Sequence, residues 1–460
     1  MKSAGVESIP EHVTPYDRFA WTDTDIEQLL ISGEHAKDLI AYFGTQEYRE
    51  LALLAKRGHG ATATAGDARV IVVPGIMGSQ LGLRRPAPLP HDILWLDPID
   101  IQVGRLASLK LPTSAPIVPL GVVLYSYLRL KLQLRASGFA PVCHDYDWRL
   151  GIDTLGRALA QRVLAEPAEK VMIVAHSMGG LVSRAALTHP GMSKVRRVVL
   201  MGTPNFGSFA PLQALRGTYA VVRKIARLTS QASAESLADS IFNTFPSLYH
   251  MLPIAERNGG ADLFDPREWP RSGPQPDIKV LRQARTVQEM LAPADARIAT
   301  VVGVGQETVT AARRRDGEFV YTITRQGDGT VPAISAELPG AANYYASVAH
   351  SDLTRDAQVA AAVADILREG TTRALPTKWR SGSRAQAQIG DRQLQRTHVG
   401  KVDWAGLGPD ERRLFLQNLN EPPKLRLRIP ARQRVTSRAT RSTKATARPK
   451  RAAKRLARKR

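Results

Sequence analysis

Ser177 lies between a predicted strand and a predicted helix, which is a typical position for a catalytic nucleophile. Ser177 follows a short apolar run that ends at Val174, and a helical pattern starts after Gly180. A sharp turn of this kind exposes the serine hydroxyl only if the residues two before and two after it are small. These residues are Ala175 and Gly179, where the usual pattern has glycine at both positions. The motif predicts a nucleophile, and a buried serine in an ordinary turn is the alternative.

A serine nucleophile needs a base and an acid, and the sequence offers both downstream. In folds that alternate strands and helices, the chain order is serine, acid, histidine. His350 lies on a predicted strand-to-helix loop, whereas His398 lies in a polar segment beyond the last regular helix. Asp328, between two glycines in a tight turn, is the preferred acid. Asp316 and Asp352 are weaker candidates, the latter because it has the place of a helix N-terminal residue. The serine, Asp328 and His350 are therefore the predicted catalytic residues.

A glycine-rich turn after an early strand is suited to stabilising negative charge. Residues 70–73 are all β-branched, as in a strand buried on both faces, and the turn 74–78 follows them. Serine chemistry needs two free backbone N–H groups for the developing oxyanion, one from such a turn and one from the residue after the nucleophile. Met77 and Met178 are the predicted donors. A phosphate-binding loop is the alternative, but the Lys-Ser/Thr pair of a P-loop is missing here.

Strands and helices alternate from residue 69 to residue 201, and this alternation predicts a mostly parallel sheet with helices on both faces. The fold class is therefore α/β. The predicted strands are 69–73, 139–144, 170–176, 195–201, 297–304 and 319–324, and the predicted helices are 122–134, 152–166 and 352–368.

About ninety residues separate the strand that ends at Met201 from the next strand, and they predict a helical cap at about 206–290. An insertion at the carboxyl edge of an open α/β sheet lies where ligands bind. One predicted cap helix has apolar residues on one face and basic residues elsewhere, namely Arg216, Arg223, Lys224 and Arg227. Such a helix is either an amphipathic lid that docks on a lipid surface or part of a fixed cap.

The net charge of +22 is concentrated at the C-terminal end. Residues 424–460 contain sixteen Lys or Arg and no Asp or Glu, so that the remainder carries +6. We expect this basic tail, 423–460, to be disordered until it meets a polyanion, because it has no apolar core. Nucleic acid and an anionic lipid surface are the expected partners, and binding should weaken with salt. A solvated tail that only aids solubility is the alternative.

The other segments are expected to be accessory to a body at 68–370. Residues 1–67 contain a helical pattern with Gly44 as a joint between two helices, and they predict a packing extension. Residues 371–422 predict a linker with one short helix at about 409–420.

Composition gives an expected location. Cys143 is the only cysteine, which excludes an intramolecular disulfide and leans toward a reducing compartment. The first residues lack the apolar run of a signal peptide, and no stretch reaches the ~18 apolar residues of a membrane span. A cytoplasmic location is therefore expected. Within the cytoplasm, the protein is either free or attached peripherally to a membrane or another anionic surface.

Seven motifs together resemble the lecithin:cholesterol acyltransferase family of α/β-hydrolases, which includes phospholipases and phospholipid:diacylglycerol acyltransferases. The resemblance covers about 68–370. In chain order the motifs are VPGIMGS (73–79), LWLD (94–97), YDWR (146–149), AHSMGG (175–180), GTPNFGS (202–208), GDGTV (327–331) and AH (349–350).

The resemblance implies an α/β-hydrolase fold with a lid at 206–290, and the serine, aspartate and histidine named above as its triad. It also implies that Met77 and Met178 are the oxyanion donors and that Trp95 lies near the acyl pocket. The expected activity is hydrolysis or transfer of the acyl group of a carboxylic ester, with lipid acyl esters as the preferred class and with no cofactor and no metal. A binding or scaffold protein on a hydrolase fold is the alternative, and a peptidase or amidase is disfavoured by the cap.

Overall fold

The computed structural model describes residues 13–60, 69–258, 261–382 and 385–419. The strands of this part of the chain are β1 (Arg69–Val73), β2 (Ser79–Leu83), β3 (Asp92–Trp95), β4 (Val118–Val122), β5 (Ala140–Cys143), β6 (Val171–His176), β7 (Val195–Met201), β8 (Ile298–Gly303), β9 (Thr308–Arg315), β10 (Glu318–Thr324), β11 (Ala342–Ala346) and β12 (Ala387–Gly390). The α-helices are α1 (Asp23–Ser32), α2 (Ala36–Phe43), α3 (Thr45–Gly60), α4 (Pro98–Gln102), α5 (Leu124–Ala136), α6 (Ile152–Ala165), α7 (Met178–Ala186), α8 (Phe209–Leu215), α9 (Ala220–Leu228), α10 (Ala234–Ser240), α11 (Pro246–His250), α12 (Ala255–Asn258), α13 (Ile278–Ala284), α14 (Ala333–Ala336), α15 (Ala357–Glu369), α16 (Asp391–Gln395) and α17 (Pro409–Gln417).

A six-stranded parallel sheet lies at the centre, in the order β11-β8-β7-β6-β1-β5. Alternate residues of a strand face opposite sides of the sheet. Ile71 and Val73 of β1 therefore pack into one apolar core with α6 and α7, while Val70 and Val72 pack into a second core with α5 and α15. The predicted mostly parallel sheet with helices on both faces is confirmed. Two antiparallel sheets of three strands, β12-β10-β9 and β3-β2-β4, flank it.

The last helix of the body begins later than the sequence pattern predicts. His350–Asp352 is a short 3-10 helix, and α15 starts only at Ala357. Its N-cap is Asp356, whose side chain accepts a hydrogen bond from the N–H of Val359 over 2.8 Å. The interpretation of Asp352 as the N-terminal residue of this helix is therefore wrong, because the later aspartate takes that place.

The N-terminal segment forms three helices where the sequence predicts two. Gly44, the predicted joint, separates α2 from α3, and a further break at Gly33, with φ +82°, ends α1. The apolar faces of these helices pack on α5. Lys131 of α5 is fully buried and forms ion pairs with Asp23 (2.6 Å) and Glu27 (3.1 Å) of α1, so that charge as well as apolar contact attaches the extension to the body.

Helices α8 to α13 form the predicted cap between β7 and β8. The basic side chains of helix α9 do not form an exposed face, as those of an amphipathic lid that docks on a lipid surface would. Val221, Val222 and Ile225 are fully buried, and Arg223 is also buried. The basic side chains of α9 donate hydrogen bonds to backbone carbonyls of the C-terminal segment instead.

The C-terminal segment packs on the body, whereas the sequence predicts a linker with one short helix. Strand β12 pairs antiparallel with β10, and α16 follows it directly. Asp391, the first residue of α16, accepts hydrogen bonds from the guanidinium of Arg216 (3.2 Å) and the hydroxyl of Tyr321 (2.7 Å). The predicted short helix corresponds to α17. The linker interpretation misses β12 and α16 because their partners lie far away in the sequence.

No helix of the described residues is long and apolar enough to cross a membrane. The basic tail, 423–460, and residues 1–12 lie outside the described residues. The expectations for these two segments therefore stay predictions.

A buried histidine of the cap makes the stability of the fold depend on pH. His250 of α11 accepts a hydrogen bond from the N–H of Ile152, at the start of α6, over 3.1 Å. Burial lowers the pKa of His250 from 6.5 to about 4. The unfolded chain therefore binds one more proton than the folded chain as the pH falls from about 6.5 to about 4, and the free energy of unfolding decreases across this window. The decrease from this residue is about 3 kcal/mol.

We expect His250→Asn to lose about 3 kcal/mol less of its unfolding free energy than the wild type between pH 7 and pH 4. The asparagine oxygen can replace the ring Nδ1 as acceptor for the Ile152 N–H, but it takes up no proton. Urea unfolding followed by circular dichroism at both pH values measures the difference. His59→Asn, at an exposed position of α3, is the control. An identical pH dependence in wild type and His250→Asn would contradict the prediction.

Candidate active site

Ser177 lies in a strained turn between β6 and α7. Its φ is +54° and its ψ is −128°, a conformation that residues with a side chain rarely adopt. Its N–H donates to the carbonyl of Met201, at the end of β7, over 2.8 Å. Gly179 lets α7 approach β1, because a Cβ there would lie 2.4 Å from the carbonyl oxygens of Val73 and Pro74. The small residue that the sequence motif requires after the serine therefore has a steric reason.

The structure brings Ser177, Asp328 and His350 together at the carboxyl edge of the sheet. Asp328 follows β10, and His350 follows β11. The Nδ1–H of His350 donates to Oδ2 of Asp328 over 2.7 Å. The other ring nitrogen, Nε2, then accepts from the Ser177 hydroxyl over 2.9 Å. This is the geometry by which a base removes the proton of a serine while an acid orients the base.

The turn around Asp328 holds its carboxylate in one orientation. The side chain is 1% exposed, and its Oδ1 accepts hydrogen bonds from the N–H groups of Thr330 (2.9 Å) and Val331 (2.7 Å). Its backbone carbonyl accepts from the N–H of His350 over 2.8 Å. Oδ2 thus remains for the imidazole, and acid and base are fixed to each other through both backbone and side chain.

The weaker candidates lie apart from this chain of hydrogen bonds. Asp316 is in the turn between β9 and β10, and its side chain is 82% exposed. Asp352 shares the 3-10 helix of His350, but within the described residues its carboxylate forms no hydrogen bond with that ring. His398 lies after α16, where burial and the nearby Lys224 lower its pKa.

The backbone N–H groups of Met77 and Met178 have no acceptor among the residues that the structure describes. Met178 is the first residue of α7, a position that has no intrahelical acceptor. Met77 lies in a tight turn with φ +61°, closed by a hydrogen bond from the Gly78 N–H to the Gly75 carbonyl (3.1 Å). In the part of the chain that the structure describes, no hydrogen bond occupies either methionine N–H. Both groups are available to an oxyanion.

Trp95 supports the turn that contains Met77. Its indole N–H donates to the Met77 carbonyl over 3.0 Å, and its ring packs edge-on against Trp148 at 5.1 Å between centroids. The side chain is 1% exposed to solvent and lines the cavity that contains Ser177. Trp95 therefore has both a cavity surface and a structural contact that the sequence does not predict.

Tyr127 and His176 form a buried pair that sequence reasoning missed. The Tyr127 hydroxyl accepts from the Gly75 N–H (2.8 Å) and lies 3.0 Å from Nδ1 of His176. The Nε2–H of His176 donates to the carbonyl of His350 over 3.0 Å. Burial, and then the neighbouring His350, hold the pKa of His176 well below its usual value, so the ring is neutral and its Nδ1 accepts from the Tyr127 hydroxyl. His176 is visible beside the nucleophile in the sequence, but Tyr127 has no local signal.

This pair connects three segments: the turn at 74–78, here called the oxyanion turn after its predicted role, the turn of Ser177, and the loop of His350. We expect Tyr127→Phe to lower kcat about tenfold to a hundredfold with little change in KM, because it leaves the Gly75 N–H and a ring nitrogen of His176 buried without partners, at about 1–3 kcal/mol each. Steady-state kinetics on a soluble ester measure both constants.

Tyr344→Phe is the matched control, since the Tyr344 hydroxyl bonds to Thr371 (3.0 Å) away from this site. A kcat of Tyr127→Phe equal to that of the wild type, with the fold intact by circular dichroism, would show that the pair does not position the reacting groups.

One cavity of about 690 Å³ contains Ser177 and His350. Its walls come from the oxyanion turn, from the cap and from the end of the C-terminal segment. Apolar side chains of the wall include Leu96, Pro211, Leu248, Met251, Leu416 and Leu419. Polar side chains, among them Glu307, Arg325 and Arg355, also line the cavity. The cavity can therefore hold a molecule of moderate size that has an apolar part and a polar part. Among the described residues, no group of His, Cys, Asp and Glu side chains could hold a metal ion.

The parallel sheet, the helical cap after β7 and the serine turn after β6 are those of the α/β-hydrolase fold. Residues 158–271 match the family model described as a PGAP1-like alpha/beta domain, a range that contains Ser177 but neither Asp328 nor His350. No curated protein matches this chain. The resemblance to the lecithin:cholesterol acyltransferase family stays a prediction, because the matching model has a different description.

Several solved structures resemble the chain in fold at low identity. The Tle4–Tli4 complex has 15% identity over 66% of this chain and 99% of that chain, with a TM-score of 0.48. The propeptide form of Bacillus licheniformis lipase BlEst2 has 15% identity over 69% of this chain and 53% of that chain, with a TM-score of 0.37. Aspergillus fumigatus lipase B has 13% identity over 78% of this chain and 64% of that chain, with a TM-score of 0.37.

Proposed function

We propose that this protein is a serine hydrolase or acyltransferase that acts on carboxylic esters through Ser177, Asp328 and His350. The observation that carries the proposal is the unbroken chain of hydrogen bonds from Asp328 Oδ2 to His350 Nδ1 (2.7 Å) and from His350 Nε2 to Ser177 Oγ (2.9 Å). Three polar residues that are distant in sequence meet here in the order and spacing of a nucleophile, a base and an orienting acid.

In the proposed mechanism, His350 removes the Ser177 proton as the hydroxyl attacks the ester carbonyl. Asp328 holds the imidazole in the tautomer that accepts at Nε2 and stabilises the imidazolium that forms. The N–H groups of Met77 and Met178 stabilise the tetrahedral oxyanion, each by roughly 3 kcal/mol. The imidazolium then gives its proton to the leaving alcohol, and an acyl-enzyme remains. Water releases a free acid from it, whereas an acceptor alcohol gives acyl transfer.

The proposed substrates are esters with an apolar acyl chain. The cavity of about 690 Å³ beside Ser177 has leucine and methionine side chains in its wall. Burial of a chain there contributes about 0.8 kcal/mol per methylene, so a longer acyl group binds better up to the length of the cavity. Lipid acyl esters are the natural class with this property.

We expect Ser177→Ala to abolish hydrolysis of p-nitrophenyl esters, and Asp328→Asn to lower kcat by about 10³- to 10⁴-fold, since the amide no longer favours the correct imidazole tautomer. Initial rates with acetyl, butyryl and lauroyl esters measure the loss. Ser183→Ala is the matched control, because Ser183 lies in α7, the helix that follows Ser177, and its hydroxyl donates to the Gly179 carbonyl (2.7 Å). Equal rates for wild type and Ser177→Ala would refute the proposed nucleophile.

The basic tail, 423–460, is proposed to bind a polyanion. The support is its composition, with sixteen cationic side chains and no carboxylate from residue 424 to the end. Counter-ions released from an anionic surface or from nucleic acid drive such binding, which makes it steeply salt-dependent.

We expect the full chain to bind phosphatidylglycerol vesicles or duplex DNA more tightly than a chain that ends at residue 422. The affinity should fall at least a hundredfold between 50 and 200 mM salt if six or more cationic groups take part. Sedimentation with vesicles and a DNA mobility shift, run side by side, distinguish the two partners. Equal binding by both chains would rule out the tail as the binding element.

A further inference from the structure

The C-terminal segment 391–419, here called the strap, is tied to cap helix α9 by hydrogen bonds in both directions. Basic side chains of α9 donate to strap carbonyls, namely Arg223 to Thr397 (2.7 Å) and to Gln395, Arg227 to Gly400 (2.6 Å), and Lys224 to Asn418 (2.5 Å). In return, the ammonium of Lys401 donates to the carbonyls of Ala226 (2.8 Å) and Thr229 (2.6 Å) of the cap. Apart from the bonds of Lys401, these contacts use backbone carbonyls of the strap, which substitution of its other side chains leaves in place.

The strap ends in the wall of the catalytic cavity. Leu416, at the end of α17, and Leu419 both line the cavity that contains Ser177. Leu419 is 4% exposed and belongs to the apolar core that also includes Trp95, and Leu416 packs against the same core. Leu414, two residues earlier on the same helix, is 47% exposed and does not line the cavity. One face of the strap end thus serves the cavity, while another faces solvent.

We propose that Leu416 and Leu419 determine the acyl-chain length that the enzyme accepts. The inference rests on the proposed function, because it concerns the substrate of the same site. Both leucines line the cavity that contains Ser177, beside Gln417 and Asn418 of the same segment, so an acyl chain long enough to reach them meets their side chains. A smaller residue at position 416 lengthens the available space, and a larger residue shortens it.

The first test compares kcat/KM for p-nitrophenyl laurate with that for p-nitrophenyl butyrate. Leu416→Ala is expected to raise the laurate to butyrate ratio about tenfold, and Leu416→Trp to lower it about tenfold, as for a change of one or a few methylenes in an apolar site. Leu414→Ala and Leu414→Trp are the matched controls on the same helix, and they should keep the wild-type ratio. Leu416→Phe is a milder substitution that replaces Leu416→Trp if the tryptophan variant does not fold.

The second test measures fatty-acid binding in the cavity and does not depend on catalysis. A fluorescent twelve-carbon fatty acid is titrated into Ser177→Ala, and into Ser177→Ala combined with Leu416→Ala or with Leu416→Trp. Binding that is about tenfold tighter with alanine and about tenfold weaker with tryptophan supports the role of Leu416 in limiting chain length. If the wild type hydrolyses no ester but this binding result is obtained, only the proposed function fails. A wild-type enzyme that is active, with an unchanged ester ratio and unchanged fatty-acid binding in the folded Leu416 variants, would overturn the inference.

Discussion

The close approach of three loops at the carboxyl edge of the sheet is the constraint on which the site depends. Gly179 lies against the Val73 and Pro74 carbonyls, and a Cβ at Gly75 would lie 2.7 Å from the Cβ of Ser177. Any side chain at these glycines would push α7 or the oxyanion turn away from the nucleophile. The close packing at these two glycines therefore keeps the turn of Met77 next to the turn of Ser177, and both residues line the same cavity.

The position of His350 follows from contacts at three of its groups. Its N–H donates to the Asp328 carbonyl, its own carbonyl accepts from His176, and its ring donates to the Asp328 carboxylate. Each such hydrogen bond has a modest net value of about 1 kcal/mol, but together they leave the base one orientation. An orientation fixed before the substrate arrives needs no rearrangement during the reaction, which is the main advantage of a preorganised polar site. His176 and Tyr127 extend this fixation to the oxyanion turn.

The parts of the fold and site that could be predicted from the sequence are those with local patterns. The strand and helix around Ser177, the glycine-flanked turn of Asp328 and the loop of His350 each have a short signature, and their order along the chain joins them. Tyr127 has none, because its hydroxyl meets His176 from 49 positions away in the sequence. Two of the carbonyls that accept hydrogen bonds from Arg223 lie more than 170 positions downstream, so its helix resembles an exposed amphipathic lid until the strap is placed on it.

The reacting groups and the cavity walls come from different parts of the chain, and this separation has a physical consequence. Ser177, Asp328 and His350 lie on loops that follow strands, whereas the strap reaches the cavity with apolar side chains and is tied to the cap through backbone carbonyls. Substitutions in the strap can therefore change the shape of the cavity without moving the hydrogen bonds of Ser177.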